Sequence, residues 1–231
     1  SVVGSRVLIS VRDDNSRHSV WMSDGTPEGT SLVATGSQYI DVVSTVFDAA
    51  DNDLAFFALR DGSERTLWSV DGISGEAYSL GSLLDHEIYA DESLQSVLHL
   101  GSRSILIFEG LYSRHMLVTD GTVSGTEVLQ DSSGDPVFSY LTKGGHAVSG
   151  DQLFFSRDGH PWVTDGTLEG TIRLDPARET GWLTDNFQTF GSSVLFYTDG
   201  DAGGYSIWIS NGTPEGTIVL ATVSDHVRGF L

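Results

Sequence analysis

The chain has 231 residues, an apolar fraction of 39%, and 12 basic against 32 acidic residues, for a formal net charge of −20. Polyphosphate backbones and anionic bilayers are held by Lys and Arg, so this balance argues against nucleic acid and anionic membrane surfaces as partners. With no cysteine in the chain, disulfides, thiolate metal sites and cysteine nucleophiles are excluded.

Lys143 is the only lysine. An acidic surface with so few lysines serves solubility. No apolar run approaches the ~18 residues that a membrane span needs. The first residues, Ser1-Val2-Val3-Gly4, carry no charged n-region or apolar h-region, so no signal peptide is visible.

Taken from the N-terminus, the same short elements return again and again. A turn at Gly4-Ser5 leads into the β-forming run Val7-Leu8-Ile9, which is followed by Val20-Trp21-Met22-Ser23-Asp24-Gly25-Thr26-Pro27-Glu28-Gly29-Thr30 and by a further strand at Ser31-Leu32-Val33. The run Val42 to Phe47 predicts a strand, Asp51-Asn52 a turn, Leu54-Ala55-Phe56-Phe57 a buried strand, and Leu67-Trp68-Ser69-Val70-Asp71-Gly72 a second copy of the motif. Leu94 to Leu100, Gly101-Ser102, Ile105 to Phe108 and Met116-Leu117-Val118-Thr119-Asp120-Gly121-Thr122 repeat the series. It returns with Gly150-Asp151, Leu153-Phe154-Phe155 and Pro161-Trp162-Val163-Thr164-Asp165-Gly166-Thr167. The last copy runs through Gly191-Ser192, Val194 to Tyr197, Ile207-Trp208-Ile209-Ser210-Asn211-Gly212-Thr213 and Ile218-Val219-Leu220. No stretch shows sustained helical periodicity.

At the Asp/Asn position the copies are 47, 49, 45 and 46 residues apart, and the two ends together supply one more interval of 44. Four short strands per copy, repeated five times, predict an all-β, five-bladed β-propeller with four antiparallel strands per blade. A solenoid requires caps at its ends, whereas complementary ends predict a ring. The expectation is one domain over residues 1–231, closed by the N- and C-terminal segments, with Phe230-Leu231 feeding into Ser1-Val2-Val3.

The motif resembles that of the bacterial ELWxxDGT repeat family, whose units read Leu-Trp-x-x-Asp-Gly-Thr-x-x-Gly-Thr. Trp21 to Thr30 and Trp208 to Thr217 match best, and Trp162 to Thr171 is close behind. The third copy replaces the Trp by Leu117, and the second carries Ile73 and Glu76 in place of both threonines and is one residue shorter. The resemblance implies propeller blades in secreted or surface-attached bacterial proteins and names no activity. The blade number is also similar to that of five-bladed propeller lectins, a likeness of architecture.

The repeated residues themselves read as structural. Trp supplies area for packing between blades, Asp caps the amides of its turn, and Gly takes the positive φ; Asn211 does the same without a charge. Function is expected where the copies differ, on the connectors entering each innermost strand. Ten residues before the hairpin turns stand Asp41, Asp91 and Asp225, with Tyr140 and Gly181 in the other two copies and Asp185 four residues after the latter. Tyr39, Tyr89 and Trp182 accompany them. Aromatic faces beside carboxylates suit a sugar, whose apolar face stacks while its hydroxyls donate. The alternative is that the aromatics wedge between blades and the aspartates cap turns.

The expected function is thus a non-enzymatic, extracellular or cell-surface module that binds glycan or another surface protein. A structural spacer of a larger surface protein is the second possibility. A glycoside hydrolase working through the connector carboxylates, with Glu92 as the irregular acid, is the third. No cofactor motif, phosphate-binding loop or nucleophile elbow is present. His86 and His226 do not define a zinc site, and Asp13-Asp14-Asn15 and Asp199-Gly200-Asp201 read as hairpin solvation rather than calcium loops.

Overall fold

The structure is a computed structural model. It describes residues 2–15, 17–36, 54–89, 91–111, 114–138, 145–175, 184–199 and 204–224, together with the backbone of 40–41. The predicted strand over Val42 to Phe47, the turn at Asp51-Asn52 and the join at Phe230-Leu231 lie outside the described residues. Within them the chain is all-β: twenty strands form five four-stranded antiparallel sheets, each a meander in chain order. The first sheet holds β1 (Val2–Val3), β2 (Arg6–Arg12), β3 (His18–Ser23) and β4 (Ser31–Gly36). The second holds β5 (Ile40–Asp41), β6 (Leu54–Asp61), β7 (Glu64–Asp71) and β8 (Ala77–Ser82). The third holds β9 (Ser93–Leu100), β10 (Arg103–Glu109), β11 (Arg114–Thr119) and β12 (Glu127–Val128). The fourth holds β13 (His146–Ser149), β14 (Gln152–Arg157), β15 (His160–Thr164) and β16 (Ile172–Arg173). The fifth holds β17 (Thr184–Phe190), β18 (Ser193–Asp199), β19 (Tyr205–Ser210) and β20 (Ile218–Val223). A 3-10 turn at Leu83–His86 is the one short helical element among the described residues, and the strand pattern does not anticipate it.

The chain divides into two compact units, residues 1–128 with three sheets and 129–231 with two. In the first unit, Val3, Leu8, Val20 and Met22 of the first sheet share a core with Ala55, Phe57, Leu59 and Val70 of the second, and Val33 and Trp68 pack against it. The opposite face of the second sheet, through Phe56, Ala58, Leu67 and Leu80, shares a core with Leu106, Phe108 and Leu117 of the third. In the second unit, Phe154, Val163 and Leu174 of the fourth sheet meet Phe187, Val194 and Phe196 of the fifth, with Trp208 alongside. The same register positions make each joint. The Trp position faces the preceding sheet, as Trp68, Leu117 and Trp208 do, and Trp68 and Trp208 lie parallel to Phe57 and Phe196, 6.1 Å between ring centroids. The residue nine after the motif Asp faces the following sheet, as Val33, Leu80 and Leu174 do.

The turn between the third and fourth strands explains the motif. Asp24 Oδ1 accepts both the N–H (2.9 Å) and the hydroxyl (2.7 Å) of Thr26, and Thr26 Oγ1 in turn accepts the N–H of Gly29 (2.9 Å). Thr30 donates its hydroxyl to the Thr26 carbonyl (2.6 Å) and lies 2.7 Å from Ser23 Oγ, which accepts the N–H of Gly25 (3.0 Å). Asp120, Asp165 and Asn211 hold their threonines in the same way. The first glycine takes positive φ, 92° at Gly25 and 89° at Gly121 and Gly212. The second glycine is required by space: a Cβ at Gly29, Gly125, Gly170 or Gly216 would stand 2.0–2.1 Å from the Asp or Asn oxygen.

The second repeat, which lacks both threonines, builds a different turn. Asp71 Oδ1 accepts the N–H of Ile73 (2.7 Å) and of Ser74 (3.0 Å), and the positive φ moves to Gly75 (79°). Ile73 and Glu76 carry no hydroxyl, so the Ser74 amide takes the place of the Thr hydroxyl donor.

The threonine hydroxyl and amide hold the Asp24 and Asp120 carboxyls below their ordinary pKa of 3.8. A depressed folded pKa gives stability that is complete above the ordinary value and is lost as pH falls from there through the lower folded one. Asp120→Asn, which reproduces the fifth repeat, is expected to melt with a shallower loss of Tm than wild type between about pH 5 and pH 2. Parallel acid melting curves would show that the carboxylate charge contributes nothing.

Candidate functional site

The connectors that the sequence singles out are built very differently from one another where they are described. Tyr39, Trp182 and Asp225 lie outside the described residues. Asp41 ends β5 opposite Ala58, with only its backbone described. Asp185 sits in β17 opposite Tyr197, where the register shifts and Asn186 takes a φ of 60°. Its Oδ1 accepts the N–H of Asn186 at 2.7 Å, so it caps a bulge in its own strand. Burial, followed by the charge of Asp185, pushes the Tyr197 hydroxyl above its ordinary pKa of 10.0.

The connector before β9 is the one that carries an arranged group. Tyr89 leaves 54% of its surface exposed, yet its backbone is held on both sides. Its N–H donates to Glu92 Oε2 (3.1 Å), and its carbonyl accepts from the buried Arg65 guanidinium (3.0 Å). Glu92 is 1% exposed, and its other oxygen lies 2.7 Å from His115 Nδ1. The His115 ring meets the Tyr89 ring edge-on at 5.7 Å between centroids. Asp91 is exposed, and its Oδ2 accepts the N–H of Leu111 at 3.3 Å, on the hairpin that comes after β10. The hairpin approaches closely, because a Cβ at Gly110 would come within 2.8 Å of that same oxygen. A half-exposed aromatic residue and an exposed carboxylate two positions later thus sit on backbone that is already held by hydrogen bonds, which lowers the ordering cost of any contact made there.

Glu92, the candidate acid of a hydrolytic site, is instead enclosed, with both oxygens engaged by Tyr89 and His115. The repeat pattern does not anticipate Arg65 or His115. The available signal is a histidine five residues before the motif Asp, present only at His115 and His160. His160 is likewise paired with an acid, Nδ1 lying 3.0 Å from Asp175 Oδ2, while Arg173 donates to the other oxygen at 2.7 Å.

A second arranged group lies in the other unit. Arg157 donates to Asp131 Oδ2 (2.7 Å) and to the Pro136 carbonyl (3.3 Å), and it covers the Trp162 ring at 4.9 Å. Burial opposes the Asp131 charge, but Arg157 and the amides of Ser133 and Asp135 outweigh it and hold the carboxyl below its ordinary pKa. All of these groups satisfy one another, so the cluster reads as a brace for the loop 129–138.

At Asp13 the carboxylate accepts the N–H of Asn15 (2.9 Å) and of Arg17 (2.8 Å), the hairpin role expected of it. Among the described residues no three His, Asp or Glu side chains are grouped to hold a metal ion, and no helix is long and apolar enough to cross a membrane.

No family model matches the chain, and no curated protein matches it. Among solved structures, it is similar to TolB from Acinetobacter baumannii at 11% identity and a TM-score of 0.38, covering 94% of this chain and 53% of that one. It is similar to a puromycin hydrolase at 10% identity and a TM-score of 0.45, covering 99% and 40%. A structure from a study of two prolyl endopeptidases gives 11% identity and 0.43, covering 96% and 34%. The chain thus spans about half or less of the length of these proteins.

Removing a buried carboxyl leaves the groups hydrogen-bonded to it unsatisfied, at about 1–3 kcal/mol each, whereas a surface change costs within about 0.5 kcal/mol. Glu92→Ala is therefore expected to shift the urea midpoint strongly and Asp91→Ala hardly at all. Equal shifts in the two variants would mean that the Glu92–His115 pair does not hold the connector.

Proposed function

We propose that the five sheets are the blades of one five-bladed β-propeller of the ELWxxDGT-repeat kind, a single domain over residues 1–231 closed by its N- and C-terminal segments. Its role is that of a secreted or surface-associated, non-enzymatic binding module of a bacterium, taking glycan or another surface protein through the connectors of one face. The sheet register supports the propeller, since the same positions build the joints between neighbouring sheets within each unit. The binding role is carried by one observation: Tyr89 is clamped through its backbone while the residue stays 54% exposed, two positions before the exposed Asp91.

A pyranose would lay its apolar face on such a ring and donate hydroxyls to the carboxylate. Water competes for both, so one pocket binds weakly, and useful affinity comes from several connectors engaging a multivalent surface. Tyr39 with Asp41, Trp182 with Asp185, and Asp225 are the corresponding positions on the other connectors. The enclosure of Glu92 favours binding over hydrolysis, because glycoside cleavage needs a carboxyl that reaches the scissile bond.

Glycan-array binding by wild type, Tyr39→Ala, Tyr89→Ala and Trp182→Ala, each shown to be folded, tests the proposal. Saturable binding of one glycan class by wild type, weakened in at least one variant, is expected. Undiminished binding in all three variants would remove the connectors from the site, and no binding by wild type would favour a structural spacer.

A further inference from the structure

One turn of the series is chemically different from its equivalents. Asn211-Gly212 is the only Asn-Gly pair in the chain, and it stands where Asp24, Asp120 and Asp165 stand in three other repeats. Asn is among the thermolabile residues. It is most labile before Gly, whose missing side chain leaves the main-chain nitrogen open to reaction. The Gly nitrogen attacks the Asn Cγ; the N–Cγ bond forms as the Cγ–Nδ2 bond breaks, and ammonia leaves with the proton from the nitrogen. Water then opens the resulting succinimide to Asp or isoaspartate. A carboxylate is a far poorer electrophile than a carboxamide, so Asn211 is the reactive member of the series.

In the fifth turn both reacting groups are occupied. Gly212 is buried, and its N–H donates to Ser210 Oγ at 3.1 Å. Ser210 is itself buried, with its hydroxyl 2.7 Å from Thr217 Oγ1, so solvent base has no ready path to the proton. Asn211 Oδ1 accepts the N–H (3.1 Å) and the hydroxyl (2.8 Å) of Thr213, which holds the carboxamide toward residue 213. Thr213 Oγ1 is fixed in turn by the N–H of Gly216 at 3.0 Å. Space closes as well. A Cβ on Gly216 would overlap Oδ1, Cγ and Nδ2 of Asn211, and a Cβ on Gly212 would overlap the Gln152 side chain. Swinging Cγ onto the Gly212 nitrogen therefore requires the turn to open: the bonds from Thr213 must break, and Ser210 must release the N–H.

We propose that Asn211 is a protected deamidation site, unreactive while the fifth turn is closed and converted when it opens. Ser210, Thr213 and Gly216 then shield a labile bond besides shaping the turn. This chemistry is independent of any ligand the module takes. Its two products differ in consequence. Asp at position 211 reproduces the residue of the other repeats and accepts from Thr213 in the same way. Isoaspartate carries the main chain through its side-chain carbon, and the added methylene breaks the spacing that sets β19 against β20. Opening of this one turn is thereby recorded covalently, at a rate set by how often the turn opens.

Peptide mapping by mass spectrometry tests this on the full chain, following acid formation at position 211 at mildly alkaline pH, in buffer and in guanidinium chloride. Wild type is expected to convert at least about tenfold more slowly in buffer than in denaturant, since even a small opening free energy gives that factor. Thr213→Val and Ser210→Ala are expected to speed conversion in buffer. Thr26→Val removes the equivalent hydroxyl from the first repeat without touching Asn211, and it is expected to keep the wild-type rate. Equal wild-type rates in buffer and denaturant would overturn the proposal, and that comparison stands even where a variant does not fold. No acceleration by Thr213→Val or Ser210→Ala would overturn it too. So would equal acceleration by Thr26→Val and Thr213→Val, because global unfolding rather than the fifth turn would then expose Asn211.

Discussion

In four of the five repeats the sheet is set by a carboxylate or amide oxygen that accepts two hydrogen bonds from one threonine. That oxygen sits 2.0–2.1 Å from where a Cβ would be on the second glycine of the motif, so Asp, Thr and Gly specify one another sterically as well as through hydrogen bonding. The turn so locked sets the register of the third strand against the fourth. Register in turn decides which face each side chain takes, because a slip of one residue reverses every one of them. With the register set, Leu117 and Trp208 reach the preceding sheet, and Val33 and Leu174 reach the following one. A hydrogen-bonded turn of polar residues thereby places the apolar contacts.

The residues that break the repeat fall into buried, mutually satisfied groups. Glu92 with His115 and Arg65 braces a connector, and Arg157 with Asp131 and Trp162 braces a loop. Polar side chains removed from water cost desolvation unless hydrogen bonds satisfy them, and both groups meet that condition in part through backbone amides and carbonyls. Their effect is to fix backbone geometry where the meander alone leaves it open. Around Tyr89 the consequence is a half-exposed residue on an ordered chain, which is where recognition is proposed.

Most of the architecture was legible because one pattern is written five times. Strand order, the hairpins at Gly101-Ser102, Gly150-Asp151 and Gly191-Ser192, and the capping role of the motif Asp all come from local chemistry. The hydroxyl before the motif Asp is a quieter signal that the motif alone does not expose: Ser23, Thr119, Thr164 and Ser210 occur in the four repeats that keep both threonines, and Val70 in the one that does not. The candidate site was far less legible. Tyr89 and Asp91 could be placed on a connector by counting, but their support comes from Arg65 and His115, 24 and 26 residues away from Tyr89 in opposite directions. Such contacts depend on which strands meet, and no spacing within one repeat encodes them. Asp185 shows the same limit, since its position matches the other carboxylates while its local bulge turns it to capping its own strand.

Amide hydrogen exchange tests most directly whether the Asp–Thr–Gly turn is the constraint on which the rest depends. The Thr122 and Gly125 amides lie in an exposed turn, yet each donates to a side-chain oxygen of the lock. Slow exchange at both, opening with the same free energy as the core amides of Leu106 and Leu117, is the predicted result. Exchange at the rate of an unstructured loop, with the core still protected, would contradict the account, because the sheets would then hold their register without the turn.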